Sequence, residues 1–396
     1  MNTQEQIPHQ SYLQIFMRFL RFGFLAWGGP VAQIAMIRQE LVEEEKWISP
    51  ERFNRVLAVY QALPGPEAHE LCVYFGMVAR GRIGAFLAGL GFMTPGFLLM
   101  LAFSWFYITF GINTPALQSV FLGMQPAVAA LIVRAVHRIG THALQRDVWL
   151  WCIAIFAGVA QLLNVNFLIP LLVGGLTYAF IKRGRTRFAF ALIAVSIFSV
   201  FVFDAIFLNQ ATSNITREAI LKTTTISSLF FSGLRAGLLT FGGAYTAIPF
   251  IRHDAVEIGA WMTNAQFLDG IALSGLLPAP LIIFSTFVGY IGDGVLGAIA
   301  MTFGVFAPAF AFTMIGHHYL ERLVENTSLH AFLDGVTAGV VGLITAVAIG
   351  ILAETLISPF AWVIGVLALA ALYLFKPKWT TAVVIVIAGL LGLIFI

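Results

Sequence analysis

The sequence predicts an all-α, polytopic membrane protein of about thirteen transmembrane helices, arranged as two homologous repeats of inverted topology. Three observations predict it. Charge is too sparse for a water-soluble surface. Apolar stretches of membrane-spanning length recur along the whole chain. An internal repeat is carried by Gly, Pro, Arg and Trp rather than by apolar residues.

Of the 396 residues, 59% are hydrophobic and 10% charged, where a soluble domain carries roughly 25% charged residues. The mean hydropathy of +0.90 agrees. Lipid is therefore the main solvent. The net charge of +3 and the lack of a dense basic block exclude nucleic acid as a partner. Two cysteines, Cys72 and Cys152, exclude a disulfide framework and a cysteine-based metal site. The polar start MNTQEQIPHQ has no signal-peptide pattern.

A bilayer-crossing helix needs about 20 apolar residues at roughly 1.5 Å each. Such stretches run from Leu13 to Trp27, Phe53 to Ala79, Ile83 to Tyr107, Ala116 to Val136, Val148 to Leu163, Phe167 to Ile181 and Phe188 to Leu208. They continue from Ile226 to Phe241, Phe267 to Ile291, Val295 to Ile315, Ala331 to Ala353, Phe360 to Phe375 and Thr380 to Ile396.

The stretch starting RFGFLAWGGP at Arg21 aligns without gaps to RAGLLTFGGA at Arg235. Arg21, Gly23, Gly28, Gly29, Ile34, Arg38, Glu43 and Trp47 match Arg235, Gly237, Gly242, Gly243, Ile248, Arg252, Glu257 and Trp261. Leu63-Pro64-Gly65-Pro66 matches Leu277-Pro278-Ala279-Pro280. After a one-residue slip, Gly76, Gly81, Gly84, Gly91 and Pro95 match Gly289, Gly294, Gly297, Gly304 and Pro308. The expected domains are a first repeat over 11–182, a linking helix and loop over 183–225, and a second repeat over 226–396. The basic loop Lys182, Arg183, Arg185 and Arg187 is placed in the cytoplasm. An odd number of crossings before the second repeat then inverts it, an architecture common in secondary transporters and open to channels too.

Gly28-Gly29-Pro30 and Gly242-Gly243 end matching apolar segments, and Pro64-Gly65-Pro66 and Pro278-Ala279-Pro280 interrupt others. Such residues break helices, and in lipid the freed amides must face protein or a wet cavity. Helix starts inside the bilayer present unpaired N–H groups and the positive dipole end, an oxyanion cradle. The plainer alternatives are surface loops and packing kinks. Arg21 and Arg235 are candidates for gripping the same anion, or for snorkelling to headgroups. Glu67, His69 and Glu70 are candidates for proton coupling, or for a structural ion pair with Arg21 or Arg55. Their counterparts Leu281, Ile283 and Phe284 are apolar, so the expected site is asymmetric. His317, His318 and Glu321 read as a polar cap at the membrane edge rather than a metal site. Ala272-Leu273-Ser274-Gly275 lacks the first glycine of a protease turn, and Asn214-Ile215-Thr216 is a formal sequon only. No metal, cofactor or nucleotide motif is expected.

The ordered set F-x-x-W-G-G-P-V-A-Q-I, Q-A-L-P-G-P-E-A-H-E-L and G-x-x-x-x-G-x-x-G-A, with T-F-G-G-A-Y-T-A-I-P and L-P-A-P-L-I-I-F-S-T-F-V-G-Y in the second half, resembles the chromate ion transporter family, in its long two-domain form. The resemblance covers nearly the whole chain. It implies a multi-pass protein of the bacterial inner (plasma) membrane that exports chromate, recognises a sulfate-like tetrahedral oxyanion, and is not an enzyme. Membrane lipid and a homodimer are the expected partners. Ala244 in place of Pro30 and Ala279 in place of Gly65 depart from the first half's pattern. Rival readings are a transporter of sulfate or another anion, an intramembrane enzyme built on His69 and Glu70 or His317 and Glu321, and a passive channel.

Overall fold

The computed structural model describes residues 7–8, 10–111, 114–163, 165–189, 191–192, 224–324 and 327–395, without the side chains of residues 62 and 317–328. Most of the expected segment from Phe188 to Leu208, the sequon at Asn214, and the side chains of His317, His318 and Glu321 lie outside the described set. The described residues form helices and turns, with no strand among them.

The first half runs α1 (Tyr12–Phe24), α2 (Gly29–Arg38) with a π-helical turn at Gln39–Glu44, α3 (Pro50–Ala62) and α4 (Glu67–Phe106), then α5 (Pro115–Ala143), α6 (Val148–Leu162) and α7 (Leu168–Lys182). The second half runs α8 (Ile226–Leu238), α9 (Ile248–Arg252) with a π-helical turn at His253–Ile258, α10 (Asn264–Gly275) and α11 (Phe284–Val324), then α12 (Thr327–Thr355), α13 (Pro359–Leu374) and α14 (Thr380–Phe395). The segments Glu67–Gly111, Pro115–Ala143, Leu281–Gly316 and Leu329–Thr355 are long and apolar enough to cross a membrane.

Two of the apolar segments are each divided at the proline motif that interrupts them. The stretch from Phe53 to Ala79 is not one helix, because α3 stops at Ala62 and α4 starts at Glu67. The stretch from Phe267 to Ile291 is likewise split between α10 and α11. In the first half the cause is local. Leu63, the residue before Pro64, is extended at φ −91°, ψ 157°, as the proline ring requires, and neither Pro64 nor Pro66 can donate a helical hydrogen bond.

The helix α4 is itself broken. Arg80 and Gly81 leave helical geometry, and Gly81 has φ 62°. Gly76 then lies against Gly84 and Ala88, so the two arms fold back on each other. The break in α11 is the counterpart, at Asp293 and Gly294, where Gly294 has φ 54° and Gly289 meets Gly297. The arm before each break is short. With α1 and α3, each of 13 residues, these pieces reach at most about 20 Å and fall short of a ~30 Å hydrocarbon core.

The chain packs as two compact units. One comprises Met1–Ala135, Thr224–Glu321 and Ala348–Ile396, the other Val136–Thr223 and Arg322–Val347. In the first, α1 lies along α4, with the α1 backbone at Phe16 and Leu20 against Gly91 and with Gly23 against Phe92 and Pro95. In the second, glycines bring helix backbones together, Gly174 against Gly335 and Gly158 against Gly342, the small-residue packing usual between helices in lipid. Large apolar side chains such as Ile155, Leu172, Leu367 and Leu390 are exposed, as befits a lipid-facing surface.

Candidate functional site

The glycine-pair and proline-loop breaks of both repeats lie in the first unit. Gly28 and Gly29 have φ 90° and 76°, a region that favours glycine, and α2 starts directly at Gly29-Pro30. In the second half Gly242 and Gly243 have φ 73° and 115°. Ala244, at the repeat position of Pro30, opens a short 3-10 turn, Ala244–Ala247, ahead of α9.

The proline loop of the first half meets the glycine break of the second. The Gly65 N–H donates to the Thr240 carbonyl at 2.8 Å, two residues before Gly242. The matching carbonyl in the first half, at Ala26, instead accepts from the buried Gln33 side chain at 2.8 Å. The second proline loop packs elsewhere. A Cβ built at Gly96 of α4 would lie 2.5 Å from the Ala279 Cβ. Ser274 closes that loop by donating to the Leu281 carbonyl at 2.8 Å, which occupies the one serine that raised a protease reading.

Gly65 has φ 150°, whereas Ala279 is absent from the described non-glycine residues with positive φ. The halves therefore tolerate different residues at one repeat position for a backbone reason.

Glu70 and His69 begin α4 just after this loop, and both are 0% exposed. A Cβ on Gly65 would lie 2.8 Å from Glu70 Oε1, and neither carboxyl oxygen has a hydrogen-bond partner. The His69 ring lies 4.7 Å and 4.9 Å from the Phe306 and Phe310 rings of α11. Neither residue pairs with Arg21 or Arg55, which removes the structural ion-pair alternative for them. Glu67 is half-buried one turn earlier.

Arg21 and Arg235 each have a carboxylate. Arg21 pairs with Glu40, which Arg18 also approaches at 3.3 Å. Arg235 pairs with Asp254, which also accepts from Ser232 at 2.7 Å. Glu40 and Asp254 occupy the same repeat position, 19 residues after the arginine. Arg38 and Arg252 pair with the matched Glu43 and Glu257. Arg18, Arg21, Glu40 and Glu45 line an open groove of about 490 Å³.

Two buried cross-half ties were not foreseen. Tyr107, past the end of α4, donates to Asp269 of α10 at 2.8 Å, and Gln125 of α5 donates to the same carboxylate at 3.1 Å. Tyr60 of α3 and Thr313 of α11 share a hydrogen bond of 3.0 Å. The third helix of each half is thus tied to the fourth of the other. Among the described residues no group of three or more His, Cys, Asp or Glu is placed to hold a metal.

Broken half-length helices, buried carboxyls and a lipid-facing apolar surface define an integral membrane transport protein. The family model for chromate transporters matches residues 13–180 and 227–393, and the chain belongs to that family. It is 55% identical to a chromate transport protein of Pseudomonas aeruginosa over 395 residues, covering 98% of this chain and 94% of the relative. It is 29% identical to a chromate transport protein of Cupriavidus metallidurans, covering 98% and 94%. It is also 30% identical to an uncharacterized transporter of Bacillus subtilis over 168 residues, 40% of this chain and 82% of the relative. These relatives are transport proteins and not enzymes. No solved structure matches the chain.

Proposed function

We propose that the chain is a secondary transporter that exports chromate across the bacterial cytoplasmic membrane. The observation that carries the reading is the junction of Gly65 with Thr240, which sets the broken segments of two halves against each other. In this reading the helix starts that follow Gly28, Gly29 and Pro30, Pro64, Gly65 and Pro66, Gly242 and Gly243, and Pro278 and Pro280 offer backbone N–H groups to a tetrahedral dianion. The prolines break the helices and donate nothing themselves, and the Gly65 N–H is held by Thr240. Arg21 and Arg235 already hold carboxylates, so in this reading they fix the segments that follow the glycines, and the amides bear the anion.

The reading includes about thirteen crossings in two inverted repeats, residues 11–182 and 226–396, joined by residues 183–225. Matching backbone features support it. Lys46 and Ala260 have φ 55° and 51°, both π-helical turns recur, and both long helices break at matching glycines. The family model matches each half separately, and a relative of half length exists.

Export fits the energetics. Moving one charge through ~100 mV is worth about 2.3 kcal/mol, so a dianion leaving a negative interior gains roughly 4.6 kcal/mol. The test is flux of radiolabelled chromate, with sulfate in parallel, in proteoliposomes under an imposed potential. Chromate movement toward the positive side supports the reading. Sulfate flux without chromate flux favours a transporter of another anion, and no flux of either overturns transport.

A further inference from the structure

Resting on the anion-transport reading, we infer that Glu70 is the proton-linked group of the anion site: the dianion and an ionised Glu70 exclude one another at the Pro64–Pro66 loop, so the anion binds only when Glu70 carries a proton.

The carboxyl is 0% exposed, and neither oxygen has a hydrogen-bond partner. It faces Gly65, 2.8 Å from where a Cβ would stand, on the loop whose N–H reaches the other half. Among the described residues, no cation answers it. On its own helix it has Glu67 and His69; from α3 it has Tyr60, which is bound to Thr313. From α11 it has the rings of Phe306 and Phe310 around His69. The α1 arginines, Arg18 and Arg21, are held by Glu40 and Glu45. Like charges a few ångströms apart in a poorly hydrated place repel strongly, and the repulsion doubles against a dianion. The repeat partner of Glu70 is the buried Phe284, so the second half carries no equivalent group.

The step is simple to balance. A proton from the solvent on the loading side joins one Glu70 oxygen as the dianion enters, and no other bond changes. Glu70 then releases the proton to the solvent on the far side and the anion is expelled with it, so one net negative charge crosses, half of what the dianion alone would move.

The experiment is chromate binding to the full-length protein in detergent, by calorimetry, across the alkaline range where chromate is the dianion. For wild type the Kd rises as pH rises, approaching about tenfold per pH unit once the free protein has lost the proton. Binding takes up a proton, read as a buffer-dependent heat. For the isosteric Glu70→Gln, binding persists, its Kd is flat with pH, and no proton is taken up. A flat wild-type profile without proton uptake overturns the inference, as does an unchanged slope in Glu70→Gln. So does a slope lost in Glu67→Gln and kept in Glu70→Gln. A Glu70→Gln protein that fails to fold leaves the wild-type proton count to decide. Wild type that binds no oxyanion overturns the transport reading and this inference with it. That outcome is distinct from binding without a proton, which overturns the inference alone.

Discussion

Tyr107 donates its hydroxyl to Asp269 across 2.8 Å and ties the end of α4 to α10 of the other half. Asp269 is 5% exposed, and Gln125 donates to its other oxygen. Tyr107→Phe leaves a buried carboxylate with one donor fewer. A hydrogen bond to a charged group is worth about 1.5–3 kcal/mol, against roughly 0.5–1.5 kcal/mol between neutral groups. Tyr107→Phe should therefore lower thermal stability more than Tyr60→Phe, whose partner Thr313 is neutral. Thermal unfolding of both variants in one detergent checks the ranking, and equal losses would sink it.

Gly65 predicts an asymmetry between the halves. Its φ of 150° is a strained place for any side chain, and an added Cβ meets the Glu70 carboxyl. Gly65→Ala should cost about 1–3 kcal/mol and abolish flux. Ala279→Gly, at the matching position, should cost less and leave much of the flux. Melting temperature and flux, measured on both variants, decide it. A stable and active Gly65→Ala protein would show that the loop geometry is not needed.

Arg21 and Arg235 hold carboxylates of different burial. The Glu40 side chain is 22% exposed and Asp254 only 5%. Removing one partner of a buried pair leaves the other uncompensated, and partial exposure of the arginine discounts the loss. Arg235→Gln should cost about 1–3 kcal/mol, and Arg21→Gln less. If the arginines only fix structure, Asp254→Asn combined with Arg235→Gln should restore flux lost in the single variant. Flux that stays lost in the stable double variant would return Arg235 to direct contact with the anion.

These pairs were not read from the sequence, which set Arg21 against Glu67, His69 and Glu70, although Glu40 and Asp254 follow the two arginines by the same interval of 19 residues. The breaks at Gly28-Gly29 and Pro64–Pro66 were legible for a local reason, since Gly and Pro act on their own backbone. The last residue of α3, Ala62, was not, because the prolines place the break without fixing the final helical turn before it. The contacts of Glu70 with Gly65 and of Tyr107 with Asp269 were hidden for another reason. The first depends on the turn of one loop. The second joins residues 162 positions apart with no periodicity to mark them.

Asp147 gives a pH-dependent prediction from a loop outside the spanning helices. Burial pushes its carboxyl up, but hydrogen bonds from Tyr178 at 2.8 Å, the Trp149 N–H at 2.9 Å and Lys182 at 3.3 Å outweigh it and hold it below the usual carboxylate range. With the folded value below the unfolded one, the stabilisation is complete above the ordinary range and is lost as pH falls through the folded value. Wild type should lose stability from roughly pH 4 downward relative to Asp147→Asn. Thermal unfolding of the two proteins as a function of pH measures it, and parallel curves would remove Asp147 from the account.

The inverted repeat makes the sharpest prediction about orientation. Lys46 and Ala260 occupy the same repeat position and share the same unusual backbone, φ 55° and 51°. Both follow a π-helical turn and precede a tryptophan, so each marks the same corner of its half. If the second repeat enters the membrane in the opposite sense, the two corners face opposite sides. Single cysteines at these positions can be labelled from outside intact cells with a membrane-impermeant reagent. Cys72 is buried and stays silent, whereas Cys152 is exposed and is first replaced by serine. The basic loop at Lys182 to Arg187 and the tail loop at Lys376 to Lys378 supply internal standards, both expected in the cytoplasm and both unlabelled until the membrane is opened. One of the two corner cysteines should react in intact cells and the other only after permeabilisation. Reaction of both from the same side would mean that the halves run parallel, and the dianion could not then lie between two helix starts approaching from opposite faces.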